Sequence, residues 1–194
     1  MTLTAAKKEF PAPAAKAANG CELRRTMSGT FELKLWGRFP PGWAGALSGG
    51  LSRKGISVIS GSARKAQTSW NAVFEMDASR CVTDPNRIDF LGLALDESDT
   101  APATDITLTE FSIGEPEKHN GALYLEVRAA DQLGFLAALL NLLAFLFLFP
   151  EEMTVETIKG TAVDRFRLKG IGGTPPSPTA RAALQRKLQD LIAR

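Results

Sequence analysis

The chain has 194 residues, enough for one ordinary domain or two small ones and too few for a large multidomain enzyme. With 44% hydrophobic and 23% charged residues it has the composition of a globular protein, which excludes wholesale disorder and a collagen-like build. Lys+Arg 23 against Asp+Glu 21 gives +2 without any basic run, so nucleic acid is not an expected partner. One histidine, His119, and two cysteines, Cys21 and Cys81, cannot furnish a four-ligand zinc site, and no metal or cofactor is expected.

Residues 1–29 carry Lys7, Lys8 and Glu9 and no apolar stretch of the secretory kind, and they read as a flexible N-terminal arm. Phe31, Leu33 and Leu35 then alternate with Glu32, Lys34 and Trp36, the period-two pattern of a half-buried strand. After the loop around Gly42, Trp43, Leu47 and Leu51 fall at helical spacing, and Gly55 is placed to end that helix in a left-handed conformation. A strand over Ile56–Ala63 and another carrying Ala72, Phe74 and Met76 follow. Asp84-Pro85 then reads as an N-cap with proline at the first helical position, ahead of a helix carrying Leu91 and Leu95.

A last strand, Ile106–Ile113, completes the first copy. The same order recurs about ninety-two residues later: a strand with Leu123, Leu125 and Val127, a helix with Phe135, Leu139 and Leu143, a strand over Met153–Ile158, a strand with Phe166 and Leu168, and a capped helix from Ser177-Pro178 with Leu184 and Leu188. The expected organisation is a first domain over 30–114, a linker over 115–121 and a second domain over 122–194 that ends without its last strand. That loss would leave a sheet edge bare, and residues 21–27, or a partner chain, are expected to cover it.

From Leu133 to Phe149 seventeen residues carry no charge, close to the length of a membrane span. Asn141 in its middle, the acids bracketing it and the lack of a flanking Lys/Arg cluster favour a buried helix running into a buried strand, with a membrane anchor as the minor alternative. The apolar excess over Leu136–Phe147 predicts a second covering surface, supplied by intramolecular pairing of the copies or by a homodimer; part of the stretch, Phe145–Phe149, reads equally well as strand. Two cysteines sixty positions apart are not a disulfide framework and favour a reducing cytoplasm.

Two βαββαβ copies with a glycine-bearing loop between first strand and first helix resemble the ACT domain, a small regulatory module that binds amino acids or other small effectors. The second copy carries the resemblance in Val127-Arg128-Ala129-Ala130-Asp131-Gln132-Leu133-Gly134-Phe135-Leu136, where the family shows a strand, Asp-x-Pro-Gly and a leucine-rich helix, with Leu133 in place of the usual proline. Ala162-Val163-Asp164-Arg165-Phe166-Arg167-Leu168 looks like the third strand of the ACT pair at the C-terminus of protein-PII uridylyltransferases. The layout is also similar to stand-alone ACT pairs of the glycine-cleavage repressor type. The resemblance implies an α+β fold of two ferredoxin-like units, each an antiparallel sheet with helices on one face. No nucleotidyltransferase motif accompanies it, so it implies regulation and not catalysis.

The resemblance places a ligand at the strand-to-helix loop, at Asp131, Gln132, Leu133, Gly134 and Phe135 in the second copy and at Arg38, Gly42 and Trp43 in the first. Gly134 lets backbone approach closely, the helix start offers N–H groups to a carboxylate, and Asp131 suits an ammonium. The alternative reading makes Asp131 no more than the helix N-cap and Trp43 a core filler. The implied function is binding of an amino acid or similar effector, signalled to a regulated partner protein or within a homo-oligomer. A ligand-free dimerisation scaffold is the alternative, and a small enzyme using Asp131 or Asp164 a distant third. Asp96, Glu97 and Asp99 read as a solvated acidic loop, Cys81 as an inert thiol and Gly170–Pro178 as a connector.

Overall fold

The computed structural model describes residues 18–96, 105–114 and 121–192. The first unit runs β1 (Gly20–Arg25), β2 (Phe31–Gly37), α1 (Trp43–Arg53), β3 (Ser57–Ala66), β4 (Ser69–Asp77) and α2 (Phe90–Leu95); the second repeats it as β5 (Leu108–Gly114), β6 (Leu123–Ala130), α3 (Phe135–Phe145), β7 (Phe149–Ile158), β8 (Thr161–Lys169) and α4 (Pro178–Asp190). Alternation decides what each strand buries: Leu33 and Leu35 of β2, and Leu123, Leu125 and Val127 of β6, all turn inward and are fully buried. Single buried side chains of this kind contribute about 1.5–3 kcal/mol each.

The repeat is written into the hydrogen-bond ladder. Phe31 pairs with Met76 and Leu123 with Leu168, each pair ninety-two residues from its counterpart. A bulge between Val58 and Ser60 in β3 recurs between Pro150 and Glu152 in β7. The two units join through β3 and β7, antiparallel with Ser62 opposite Thr154, into one continuous sheet of order β1-β2-β4-β3-β7-β8-β6-β5. That order reads the same from either end, so the seam is a pseudo-two-fold axis. Helix α3 packs against α1 across it, where Gly45 of α1 lies against Asn141 and Leu140. Intramolecular pairing thus covers part of the apolar excess over Leu136–Phe147, while Phe145 and Phe147 stay exposed.

Two expectations about strands are corrected. The strand assigned to the end of the first unit, β5, pairs with β6 of the second, with Phe111 opposite Val127, and residues 21–27 do not cross over, since β1 pairs with β2 of its own unit. In each unit the edge position expected for a closing strand is taken by the strand that precedes the core, because antiparallel neighbours joined by a short connection pair locally. The second unit therefore lacks no strand. Residues 1–17 of the arm, residues 115–120 of the linker, His119, Glu97 and Asp99 lie outside the described residues.

The helices bring two more corrections. Asp84 caps only a single turn, Pro85–Arg87, through the Asn86 N–H; α2 starts afresh after Asp89, which accepts from the Gly92 N–H at 2.8 Å. Its fully buried residues are Phe90 and Ala94, Leu91 is half-buried against the core, and Leu95 is exposed. In α3 the helix persists to Phe145, and of the stretch 145–149 only Phe149 is strand.

Both first helices end in the same Schellman arrangement: the Ile56 N–H donates to the Leu51 carbonyl at 3.0 Å, and the Leu148 N–H to the Leu143 carbonyl at 2.9 Å. The left-handed residue of that motif is Gly55 (φ 73°) in the first unit but Phe147 (φ 57°) in the second. A bulky side chain there is strained, so Phe147→Gly is expected to raise stability by about 0.5–1 kcal/mol after the extra unfolded-state entropy of glycine. Denaturant unfolding with an unchanged slope would measure this, and a loss of stability would contradict it.

The sheet face opposite the core is polar. Glu126 accepts from Arg128 and Arg165 at 3.0 Å and from Tyr124 at 3.1 Å, while Arg165 also reaches Glu156 at 2.6 Å and Arg167 reaches Glu152 at 3.1 Å. Burial works to raise the Glu126 carboxyl, but these hydrogen bonds outweigh it and hold Glu126 below the usual range. Among the described residues no helix is long and apolar enough to cross a membrane.

Candidate functional site

The pseudo-two-fold seam forms two related clefts, each between the strand-to-helix loop of one unit and the first helix of the other. The first lies where Asp131–Gly134 and the start of α3 face Ser48 and Ser52 of α1, with Glu156 and Asp164 from the sheet; it encloses about 40 Å³. The second lies where Phe39–Gly42 and the start of α1 face Leu140 and Ala144 of α3, and it opens to about 310 Å³. Matching positions have diverged in chemistry. Asp131 answers to Phe39, Ser48 to Leu140, Ala162 to Trp70 and Asp164 to Ala72, each ninety-two apart.

In the first cleft the chemistry is acidic. Asp164 occupies an inward position of β8 opposite Val155 and is 3% exposed. Burial, and then the negative charge of Asp131, push its carboxyl up to about 7, against a smaller opposing pull from Arg165. Asp131 itself is exposed, and with Ser57 and Thr157 it also borders a shallow outer depression of about 450 Å³ that Ser28, Thr30, Asp77 and Ser79 help to line. Among the described residues lining the cleft, three are acids and none is a base.

The structure brings Asp131, Gln132, Leu133, Gly134 and Phe135 together at this cleft. Asp131 is not the helix cap: Gly134, at φ 90°, is the N-cap, no side chain caps α3, and the Asp131 N–H donates to the Gly160 carbonyl at 2.9 Å. Gln132 is engaged structurally, its side-chain amide donating to the Asp105 carbonyl at 3.0 Å. Phe135 is a core residue, 2% exposed.

In the first unit Gly42 repeats the left-handed N-cap at φ 86°, and Trp43 is buried between Phe39, stacked at 5.0 Å, and Trp70, edge-on at 5.2 Å. Arg38 does not line the second cleft with them; it is exposed, and its backbone N–H and carbonyl grip the Asn19 side chain at 2.7 and 2.8 Å. Asp164 and Trp70 complete the clefts without having been placed there from sequence. Both sit at inward positions of alternating strands, the signal by which a buried acid on β8 was discoverable. Gly170–Pro178 connects β8 to α4, and Gly170–Gly173 within it borders the second cleft. Cys81 is half-buried and its thiol donates to the Thr83 carbonyl at 3.1 Å.

No protein-family model matches the chain, and no curated protein does. Among solved structures it is similar to the crystal structure of aspartate kinase from Synechocystis, at 17% identity with a TM-score of 0.45, over 84% of this chain and 27% of that one. The chain spans about a quarter of that structure's length.

Proposed function

We propose that the chain is a non-catalytic regulatory module of the ACT type whose polar cleft and outer depression take an amino acid, and whose occupancy is passed to a partner protein or through a homo-oligomer. The observation that carries this is an exposed acid, Asp131, standing between a hydroxyl-lined depression and a second, buried acid, Asp164. A space of about 40 Å³ has room for two or three waters, which matches an ammonium and not a whole amino acid. The ammonium would enter between Asp131 and Ser48, leaving the rest of the ligand in the depression. Because the cleft walls belong to different units, filling it bears on how α1 and α3 sit together, and a partner reading the seam would sense the ligand.

Thermal unfolding of the full chain against the standard amino acids tests this. A ligand at a hundred times its Kd adds about 2.7 kcal/mol. Asp131→Ala should abolish that gain without lowering the ligand-free midpoint, because Asp131 caps nothing and repels Asp164. The scaffold reading is favoured by one observation, the near-filled cleft beside an unbroken β3–β7 ladder, and it is the outcome if no amino acid moves the midpoint.

A further inference from the structure

We propose that the outer edge of β1 is an interface for a second copy of this chain, whose own β1 pairs with it antiparallel about a two-fold axis at Leu23. The edge lies at the end of the sheet, away from the central seam and its clefts, so the inference stands apart from amino-acid binding. β1 and β5 are the two outermost strands, and they are finished differently. On β5 a bulge between Leu108 and Glu110 interrupts the register, and the Leu108 N–H is already taken by the Leu191 carbonyl at 2.8 Å, beside a parallel bridge to Ile192. Such devices keep an edge from pairing further. β1 has neither: its register with β2 runs unbroken from Gly20 to Arg25, it holds no proline, and among the described residues no strand lies on its other side. It presents a row of backbone donors and acceptors to another strand.

The charges on the strand select both the partner and the register. A copy joined about an axis normal to the sheet keeps its helices on the same side, so only residues of one face can stand opposite one another. Glu22 and Arg24 are exposed and share the outer face, paired within the unit to Lys34 and Glu32. With the axis at Leu23, Glu22 of each copy meets Arg24 of the other; with the axis at Glu22 or at Arg24, like charges meet instead. The strand is thus complementary to itself in one register. Helix α2 supplies a second observation. It lies against β1, with Phe90 and Ala94 buried in the core and Leu93 packed over Gly50 of α1. Leu91 and Leu95, four positions apart, form the flank opposite Leu93, and Leu95 is 43% exposed. An apolar flank above an open edge is covered when the α2 of a second copy arrives beside it.

Sedimentation equilibrium of the full chain should find a concentration-dependent dimer. Arg24→Glu and Glu22→Arg, each setting like charges opposite one another, should each weaken it by about tenfold, and the two together, which restore opposite charges in the same register, should bring the affinity back. That rescue separates the interface from a local effect on Arg24, which also reaches Glu32 of its own unit at 3.4 Å. Leu23→Cys, combined with Cys21→Ser and Cys81→Ser, should give a disulfide-linked dimer on mild oxidation, since directly opposite residues of an antiparallel pair stand about 4.5–5.5 Å apart at Cα, within disulfide reach. A chain that stays monomeric at about 100 µM overturns the proposal. So does a dimer that the single charge changes, folded by circular dichroism, leave intact, one that the double exchange fails to restore, or one in which Leu23→Cys does not cross-link. An amino-acid response lost in Asp131→Ala would be unaffected by any of these results.

Discussion

Asp164→Asn should make the protein more stable at pH 8 and should remove most of the slope of stability against pH between about 4 and 7. Asp164 is raised from 3.8 to about 7 in the folded chain, by burial first and by Asp131 second. Below pH 4 the carboxyl is protonated both folded and unfolded and costs nothing. As pH rises the unfolded chain ionises first, while the folded chain keeps its proton until about 7, so stability falls through that window and levels off above it. About three units of pKa correspond to a loss on the order of 4 kcal/mol.

The charges that face this carboxyl are Asp131 and Glu156, which raise it, and Arg165, which lowers it. The amide oxygen of asparagine still accepts from the Glu156 backbone N–H, so the variant keeps its hydrogen bond and drops only the ionisation. Urea unfolding at pH 5 and pH 8 reads the effect directly. A wild-type and variant difference that is the same at both pH values would show that Asp164 does not titrate in this window. The same acid links the polar cleft to pH: a cationic ligand beside it favours the ionised form and should bind more tightly as pH rises through 7.

Gly61→Ala should be a costly single-methyl change at the centre of the sheet. A Cβ at Gly61 would stand 2.8 Å from the Val73 carbonyl oxygen and closer still to the Phe74 ring, so backbone as well as side chain must move. Gly61 is opposite both Phe74 on β4 and Val155 on β7, and a shift there is felt at the seam. Overpacking of this kind costs about 1–3 kcal/mol. Phe74→Leu should cost stability alone yet lose less in the Gly61→Ala background, giving a favourable coupling of about 0.5 kcal/mol or more in a double-mutant cycle. Strict additivity would show that the ring is not what Gly61 accommodates. At the matching place in the second unit Met153 faces Phe166, so the need for glycine arises from the way this one ring lies.

The local structure was legible because alternation and helical spacing are short-range signals. Leu33 and Leu35, Trp43, Leu47 and Leu51, and their partners ninety-two residues on all lie where the pattern puts them. Strand partnership was not legible, since the pattern in Ile106–Ile113 marks one face as buried without naming the neighbour that β5 pairs with. A signal for β1 was nonetheless present: Cys21 and Leu23 alternate before Met27-Ser28-Gly29, and Gly29 takes φ 86° in the hairpin turn to β2. Phe147 concealed the end of α3, because a left-handed position is expected to carry glycine. At the site, the loop residues were found by their resemblance to a known pattern. Asp164 and Trp70 come from strands distant in sequence, and only the folded sheet sets them beside that loop.

Fusing two units into one chain has an effect that reaches past the sheet. When identical subunits associate, every substitution appears twice, so paired pockets stay twins and occupancy of the complex follows concentration. Here each half is encoded once and the partners can never separate. The join is therefore formed at any dilution, and each pocket is free to change without its sibling, which is how one comes to be lined by apolar side chains and the other by acids.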